Sequence, residues 1–475
     1  MSLTSYISSS ANTKLPGTMH KNPHLTILLF LGDILGLFIC LEIALWLRLG
    51  QPLNKFDPLI YSFVLLVLLG LYLADAYHLD TQLAGLRTPS RILISNIGVS
   101  ILTSTLIYLS GAWRNHILVG RGILLPSIAM FTIWAIISRL LAVTWVRSRT
   151  QQSRLLMLGT GESAIKFAKH LLEQNLLGKL VVLAETSQDT TDLIDANINL
   201  NCVGCLNSLH TWSLESWSAV IVATQIEFSK PQMQGLMQMR LRGIPIYSLP
   251  DFYETLWYKL PSSLLQDKWL AFSAGFHLMP GYLNMKLKRF ADLIFAGILL
   301  VPLSPLMLLV AFVIKLDSPG PVFYSQLRSG LYGKEFRVYK FRSMYQDAEK
   351  RGAQWANKHD PRVTRVGRWL RLLRIDELPQ IWNVLCGEMS LIGPRPERPE
   401  FDVKLKEVIP YYEVRYLVKP GITGWAQVMY PYGASVEDAY EKLAYDLYYI
   451  KNYSLWLDLA IAFKTIRVVL LGKGR

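Results

Sequence analysis

Apolar residues are grouped along this chain in two ways. Over the first 146 positions they form long runs at 25–47, 59–73, 92–109 and 123–146, each of 15–24 mostly apolar residues. A helix needs roughly 20 such residues to cross the hydrocarbon core of a bilayer. The second run is the shortest and is completed by flanking Tyr and Ala residues. The connections are short and predict a compact up-and-down helical bundle. From Ser153 the pattern changes. Residues 154–158, 180–184 and 219–223 read as short buried parallel strands. The first leads through Gly159-Thr160-Gly161-Glu162-Ser163-Ala164 into a helical run. A Rossmann-like α/β module of about 100 residues is expected here, with glycines that permit a tight turn and Glu185 positioned for a ribose. A structural or regulatory module without a nucleotide would give the same pattern.

Beyond residue 280 long and short patterns alternate. Lys288-Arg289-Phe290-Ala291-Asp292 opens a fifth apolar stretch, 293–314, interrupted by Pro302 and Ser304-Pro305. Each proline removes a backbone donor and crowds the preceding turn, so a sharp bend is expected. The stretch is either a kinked fifth span or a helix–break–helix that dips into one leaflet and returns. Charges at both ends, including Lys315 and Asp317, do not force a crossing. Residues 321–324 and 335–339 read as two strands around a glycine-bearing turn at 329–334. Val366, Trp369, Leu370 and Leu373 then stand at i, i+3, i+4 and i+7, with Arg365, Arg368, Arg371 and Arg374 over the rest. Such a helix can lie at headgroup level with its arginines on phosphates, or pack on a core with solvated arginines. The final run, 455–471, with Lys464, Arg467, Lys473 and Arg475, reads as an amphipathic helix at the membrane surface.

Composition narrows the function. The chain has 475 residues, 51% of them hydrophobic, and a formal net charge of +14. Its mean hydropathy is +0.27. Two or three domains fit this length. With this many membrane runs the charge points to anionic lipids and phosphates rather than to nucleic acid. The first run is too long for a signal peptide and lacks a cleavage site. Lys14, Lys21, Arg87, Arg91, Arg147, Arg149 and Arg154 place both ends of the bundle inside. Asp33, Glu42 and Arg139 lie within spans and are expected to face the bundle interior. Cys202-Val203-Gly204-Cys205 has metal-like spacing, but no second pair or histidine follows, so neither zinc nor redox chemistry is expected.

The most informative stretch is Arg374-Ile375-Asp376-Glu377-Leu378-Pro379-Gln380. It is preceded by Lys340-Phe341-Arg342-Ser343-Met344 and followed by Gly387-Glu388-Met389-Ser390-Leu391-Ile392-Gly393-Pro394-Arg395-Pro396. With these motifs the chain resembles the bacterial polyprenyl-phosphate phosphoglycosyl transferases that start exopolysaccharide and O-antigen assembly. Gln326, Arg328 and Gly330 match the family's Gln-x-Arg-x-Gly element. Asp360-Pro361-Arg362-Val363-Thr364 and Lys419-Pro420-Gly421-Ile422-Thr423-Gly424 are further family elements. The resemblance is strong over roughly 280–475, and the front end looks like the family's long form. The family usually has Ser-Leu ahead of the acidic pair, where this chain has Arg374-Ile375.

The resemblance implies transfer of a hexose-1-phosphate from UDP-glucose or UDP-galactose to undecaprenyl phosphate, with release of UMP. It implies Asp376 as nucleophile, an aspartyl-phosphosugar intermediate, and Glu377 as the carboxylate ligand of Mg²⁺. Asp376 and Glu377 are expected to begin a helix whose N-terminus suits phosphate. A glycosidase fits poorly, because its two carboxylates flank a glycosidic bond about 5–9 Å apart, which neighbouring residues on one turn do not naturally give. Arg342, Arg362, Arg395 and Arg398 are candidate phosphate clamps, with Lys288, Arg289, Gln326 and Arg328 as further substrate ligands. The expected fold is an α-helical membrane bundle plus a Rossmann-like α/β domain plus an α-rich (α+β) monotopic catalytic domain with a re-entrant membrane helix. Its expected divisions are a tail at 1–24, the bundle at 25–149, the α/β domain at 150–265, a linker and re-entrant helix at 266–316, and the catalytic domain at 317–475. The family also implies a homodimer, in the bacterial inner membrane, with the catalytic domain facing the cytoplasm. Two rivals remain: a membrane-anchored nucleotide-sugar oxidoreductase or epimerase, and a non-enzymatic membrane scaffold with a nucleotide-sensing domain. The first lacks a Tyr-x-x-x-Lys pair near the α/β module, and neither accounts for the Asp-Glu region.

Overall fold

A computed structural model of the chain describes residues 23–50, 58–77, 87–111, 121–151, 153–173, 179–186, 201–224, 227–276, 282–346, 348, 360–430, 433 and 435–470. Lys14 and Lys21, with most of the expected N-terminal tail, lie outside the described residues, as do Lys473 and Arg475. The chain forms two compact units, Met1–Leu256 and Trp257–Arg475.

The first unit begins with helices α1 (Pro23–Leu49), α2 (Pro58–Leu73), α3 (Arg87–Ser110) and α4 (Arg121–Gln151). Leu25–Leu49, Pro89–Ser110 and Gly122–Val146 are long and apolar enough to cross a membrane. The 16 residues of α2 rise about 24 Å at 1.5 Å each, short of a hydrocarbon core. Leu37, Leu41, Phe63, Val67, Leu71, Ile92, Val99, Phe131 and Ala135 make the bundle core. Leu28, Leu35, Trp46, Ile94, Leu109 and Leu141 are exposed on its outside, as a lipid-facing surface requires. Asp33 and Arg139 are both fully buried and form a doubly hydrogen-bonded ion pair. An isolated charge here would be costly, and each neutralises the other.

An α/β layer follows: β1 (Arg154–Leu158), α5 (Glu162–Glu173), β2 (Lys179–Ala184), β3 (Asn201–Cys205), β4 (Ala219–Val222), α6 (Lys230–Leu241), β5 (Ile246–Ser248) and α7 (Leu249–Trp257). The strands are all parallel, in the order β3-β2-β1-β4-β5. Central β1 is apolar from Leu155 to Leu158 and buried on both faces, as helix-covered parallel strands are. On α5, Ala164, Phe167, Ala168 and Leu171 repeat at helical spacing and are all buried.

The second unit opens with residues that pack far along the chain. Leu260 and Leu265 join Leu405, Ile409, Tyr412, Leu443 and Leu447 in one cluster. The division between compact units therefore falls at Leu256/Trp257. Next comes α8 (Tyr282–Asp317), one continuous helix of 36 residues with Pro302 and Pro305 inside it. The sequence leaves open a kinked helix or a helix–break–helix here, and the helix is unbroken through both prolines. Pro305 cannot donate to the Val301 carbonyl four residues back, and the Ser304 hydroxyl donates to it instead at 2.8 Å. In apolar surroundings a helix is the form that keeps the remaining backbone groups paired.

Both halves of α8 rest on the same body. Ala296, Leu300 and Leu303 pack with Val338, Ile381, Val384 and Met389. Val310 and Ile314 pack with Phe341 and Leu370. That body consists of an antiparallel hairpin, β6 (Phe323–Ser329) and β7 (Glu335–Phe341), then α9 (Arg365–Leu372), α10 (Gln380–Cys386), β8 (Ser390–Ile392), α11 (Pro399–Val408), β9 (Gly421–Thr423), α12 (Trp425–Met429), α13 (Val436–Lys451) and α14 (Leu455–Leu470). Strands β8 and β9 pair in parallel. On α14, Leu455, Trp456, Leu459, Phe463 and Ile466 form an exposed apolar stripe, while Asp458 and Ile461 are buried.

Candidate active site

The hairpin sets one wall. Its register pairs Tyr324 with Lys340, Gln326 with Val338 and Arg328 with Phe336. Side chains two apart on a strand share a face, as do directly opposed ones. Tyr324, Gln326, Arg328 and Lys340 therefore lie on one face of the hairpin, and all four line the cavity beside it. A second wall comes from α9 and the turn after it. The Thr364 hydroxyl caps α9 by accepting from Gly367 N at 2.9 Å. At Gly367 a Cβ would lie 2.0 Å from the Ser343 carbonyl oxygen, so only glycine lets α9 sit this close to the strand exit. Val366 and Leu370 face inward, while Trp369, Leu372 and Leu373 are exposed. The apolar stripe expected from the sequence is thus split between core and surface. Arg371 and Arg374, expected on the headgroup side, line the cavity.

Arg374 adopts the left-handed conformation (φ 53°), which turns the chain into a single 3-10 turn, Ile375–Glu377. The acidic pair sits on this turn, and α10 starts only at Gln380, with Pro379 as its cap. The sequence places the pair in the first turn of a helix. The left-handed Arg374 separates it from α9, whereas Leu378 and Pro379, both in the right-handed helical region, join its 3-10 turn to α10.

Asp376 and Glu377 are both buried. Glu377 Oε1 accepts from Lys340 Nζ at 3.0 Å and from Arg395 Nη2 at 2.6 Å. Its Oε2 lies 3.4 Å from Arg395 Nη1 and 3.5 Å from Arg374 Nη1. Burial pushes the Glu377 carboxyl up, but Arg395, Lys340 and Arg374 outweigh it and hold the group well below the usual carboxylate range. Burial and the Glu377 charge push Asp376 the other way, above its ordinary value. Burial also lowers Lys340, which Glu377 opposes.

These groups line a cavity of about 380 Å³ with ten basic and four acidic side chains. Its volume suits a small-molecule ligand, and its charge favours an anion. Asp376, Glu377, Arg342, Arg362, Arg395, Arg398, Gln326 and Arg328 all contribute to the lining. Arg342 spends its guanidinium on the end of α8, donating to Ser318 O at 2.6 Å and Pro319 O at 2.9 Å. Arg362 forks onto Asp360 at 2.8 and 2.6 Å, and these bonds hold the Asp360 carboxyl below its ordinary value. Lys288 and Arg289 are placed elsewhere. Lys288 pairs with Asp458 at 2.6 Å, and Arg289 donates to the Val384 and Leu385 carbonyls that end α10.

A family model described as bacterial sugar transferase matches residues 283–472. An exopolysaccharide production protein of Rhizobium leguminosarum bv. phaseoli is 41% identical over 199 residues, which cover 40% of this chain and 100% of that relative. The chain belongs to the bacterial sugar transferase family, the polyprenyl-phosphate phosphoglycosyl transferases. A UDP-N-acetylgalactosamine-undecaprenyl-phosphate N-acetylgalactosaminephosphotransferase of Aeromonas hydrophila is 48% identical over 240 residues, 50% of this chain and 55% of the relative. An undecaprenyl-phosphate glucose phosphotransferase of Komagataeibacter xylinus is 48% identical over 190 residues, 39% of this chain and 36% of the relative. These last two are therefore matched over about half or less of their own length.

Several lining residues of this cavity were not singled out as site residues from the sequence. Lys340 stands in a quoted motif, and its role follows only from the hairpin register. Glu397, Arg415, Lys442 and Asp446 also line the cavity. Arg415 and Asp446 come from a 3-10 helix and from α13, where their spacing carries no signal.

Among the described residues no group of three or more His, Cys, Asp or Glu is placed to hold a metal. Mg²⁺, however, needs few protein ligands when phosphates and water complete its shell. Adjacent Asp376 and Glu377 fit such a site, with Glu377 Oε2 the less tightly engaged oxygen of its carboxylate.

Proposed function

We propose that this protein transfers a sugar-1-phosphate from a UDP-sugar to undecaprenyl phosphate and releases UMP. One observation carries the reading. Glu377 is tied to three cations, whereas the Asp376 carboxylate, buried beside it, accepts no hydrogen bond among the described residues. A carboxylate so placed in a basic cavity is a nucleophile facing anionic substrate. In the first step an Asp376 oxygen bonds to the sugar-bearing phosphorus, the bridging P–O bond breaks, and UMP leaves with the bond's electron pair. In the second, an oxygen of the lipid phosphate bonds to that phosphorus and the carboxylate leaves, giving the lipid diphosphosugar. Arg395, Lys340 and Arg374 offset charge around the reacting phosphate. Mg²⁺, held through Glu377, would supply further neutralisation of the diphosphate.

The sugar belongs to the same proposal. The sequence resemblance favours glucose or galactose, and the relatives above are named for N-acetylgalactosamine and glucose. Purified protein with Mg²⁺, undecaprenyl phosphate and UDP-glucose, UDP-galactose or UDP-N-acetylgalactosamine should release UMP from at least one donor. Asp376→Asn should lower that rate at least about a thousandfold. An undiminished rate in that variant would remove Asp376 as nucleophile.

The same proposal covers the membrane arrangement. Both halves of α8 pack on one body, which supports re-entry into one leaflet, with the catalytic unit on the cytoplasmic side of a multi-pass inner-membrane protein. The exposed apolar stripe of α14 and Trp369 support contact with the membrane surface, and exposed Arg368 with its anionic lipids. The strand order β3-β2-β1-β4-β5 supports a Rossmann-like reading of the α/β layer. At Gly159 (φ 109°) a Cβ would lie 2.9 Å from Thr224 N, and Glu162 occupies the first turn of α5. Strand packing explains that glycine, and a carboxylate stands where a pyrophosphate would bind, which favours a structural role.

A further inference from the structure

The segment that presents Arg395 to Glu377 has no stiffness of its own in the form of a helix or strand. Pro394 and Pro396 flank it, so on either side of Arg395 it lacks backbone donors. It offers carbonyls, and four consecutive ones each accept a hydrogen bond. Gly421 N donates to Pro394 O at 2.9 Å and Ser329 N to Glu397 O at 3.0 Å. Arg415 Nη2 donates to Arg395 O at 2.7 Å, and Arg328 Nη1 to Pro396 O at 3.2 Å.

Of these donors, Arg415 holds the residue that bears the clamp. It is itself fixed by burial. Its Nη1 donates to the Tyr412 hydroxyl at 2.6 Å, which donates to Asp402 at 2.8 Å. Its Nη2 also lies 3.3 Å from Asp446 Oδ2 on α13. The Arg415 and Asp446 side chains are 8% and 3% exposed. As a stabilising device this pair is poor. Buried ion pairs are often no better than apolar packing, and here Asp446 Oδ1 is left without a partner. Burial pushes the Asp446 carboxyl up to about 6 despite Arg415. A group so costly to bury, spent on the carbonyl of Arg395, points to geometry rather than stability.

Building on the transfer reaction proposed above, we infer that Arg415, held by Asp446, is a positioning residue that sets Arg395 against Glu377. It touches no reacting atom. Its effect on catalysis passes through Arg395.

The test is a double-mutant cycle in the full-length protein, with Arg415→Lys, Arg395→Lys and the pair, following UMP release from the preferred UDP-sugar alongside thermal stability. Lys at 415 keeps the charge but cannot fork to Tyr412, Asp446 and the carbonyl together. In the wild-type background Arg415→Lys should lower kcat about tenfold or more, with KM changed by less than about threefold. In the Arg395→Lys background the same change should cost less than about threefold, because the group it positions is gone. Equal losses in both backgrounds, or a loss confined to KM, would overturn the inference. If Arg415→Lys does not fold, Asp446→Asn takes its place in the cycle with the same two outcomes. Wild-type protein that releases no UMP from any donor would instead overturn the transfer reading itself.

Discussion

Asp376 and Glu377 are neighbours in the chain and buried to a similar degree, yet their carboxyls are driven apart. Three cations converge on Glu377, while Asp376 feels burial and the Glu377 charge. A nucleophile must be deprotonated, so UMP release should fall as pH drops through the Asp376 value, which burial and the Glu377 charge raise above that of an ordinary aspartate. Lys340 is one of the charges that lower Asp376. Its removal in Lys340→Met should move this acid limb to higher pH. The check is the pH profile of UMP release for both proteins, and a limb that stays put or moves down would contradict the assignment. The acidic pair, Arg395 and the Gln326–Arg328 element were legible as local motifs. Lys340, Arg415 and Asp446 were not, because their meaning depends on a strand register and on segments tens of residues apart. Lys288 and Arg289 look alike in sequence to the clamps, and only the fold shows them bonded to Asp458 and to the end of α10.

Among the elements, α8 separates most clearly what sequence can and cannot say. Its length and apolarity are plain, and so are its prolines, but not that a serine hydroxyl replaces a missing donor or that both halves pack on one body. A spanning helix of 36 residues would be about 54 Å long and would put its ends on opposite sides of a core about 30 Å thick. Single cysteines at Lys286 and Lys315, with Cys40, Cys202, Cys205 and Cys386 replaced, should both react with an impermeant thiol reagent from the cytoplasmic side only. Reaction from opposite sides would refute re-entry. The acidic pair gives the same lesson on a smaller scale. Its neighbours read as helix on both sides, and the left-handed Arg374 that parts its 3-10 turn from α9 leaves no mark in the hydrophobic pattern. The parallel strands of the α/β layer, by contrast, announce themselves as short apolar runs, since strands covered on both faces need no polar alternation.

At the scale of the whole molecule the division at Leu256/Trp257 has a direct consequence. The cavity is lined wholly from the second unit, and one relative is matched over its entire length by 40% of this chain. Residues 257–475 produced alone in detergent or nanodiscs should therefore keep UMP release within about tenfold of the full chain. A complete loss in a folded, membrane-bound fragment would show that the first unit takes part in catalysis. The central claim is that the transferred phosphosugar rides on Asp376, and it is tested most directly by peptide mass spectrometry after acid quench. Protein mixed with Mg²⁺ and its preferred UDP-sugar, without lipid acceptor, should carry one sugar-phosphate mass on the peptide containing Asp376, and undecaprenyl phosphate should discharge it. An unmodified peptide during steady turnover, or the added mass on another residue, would contradict the account.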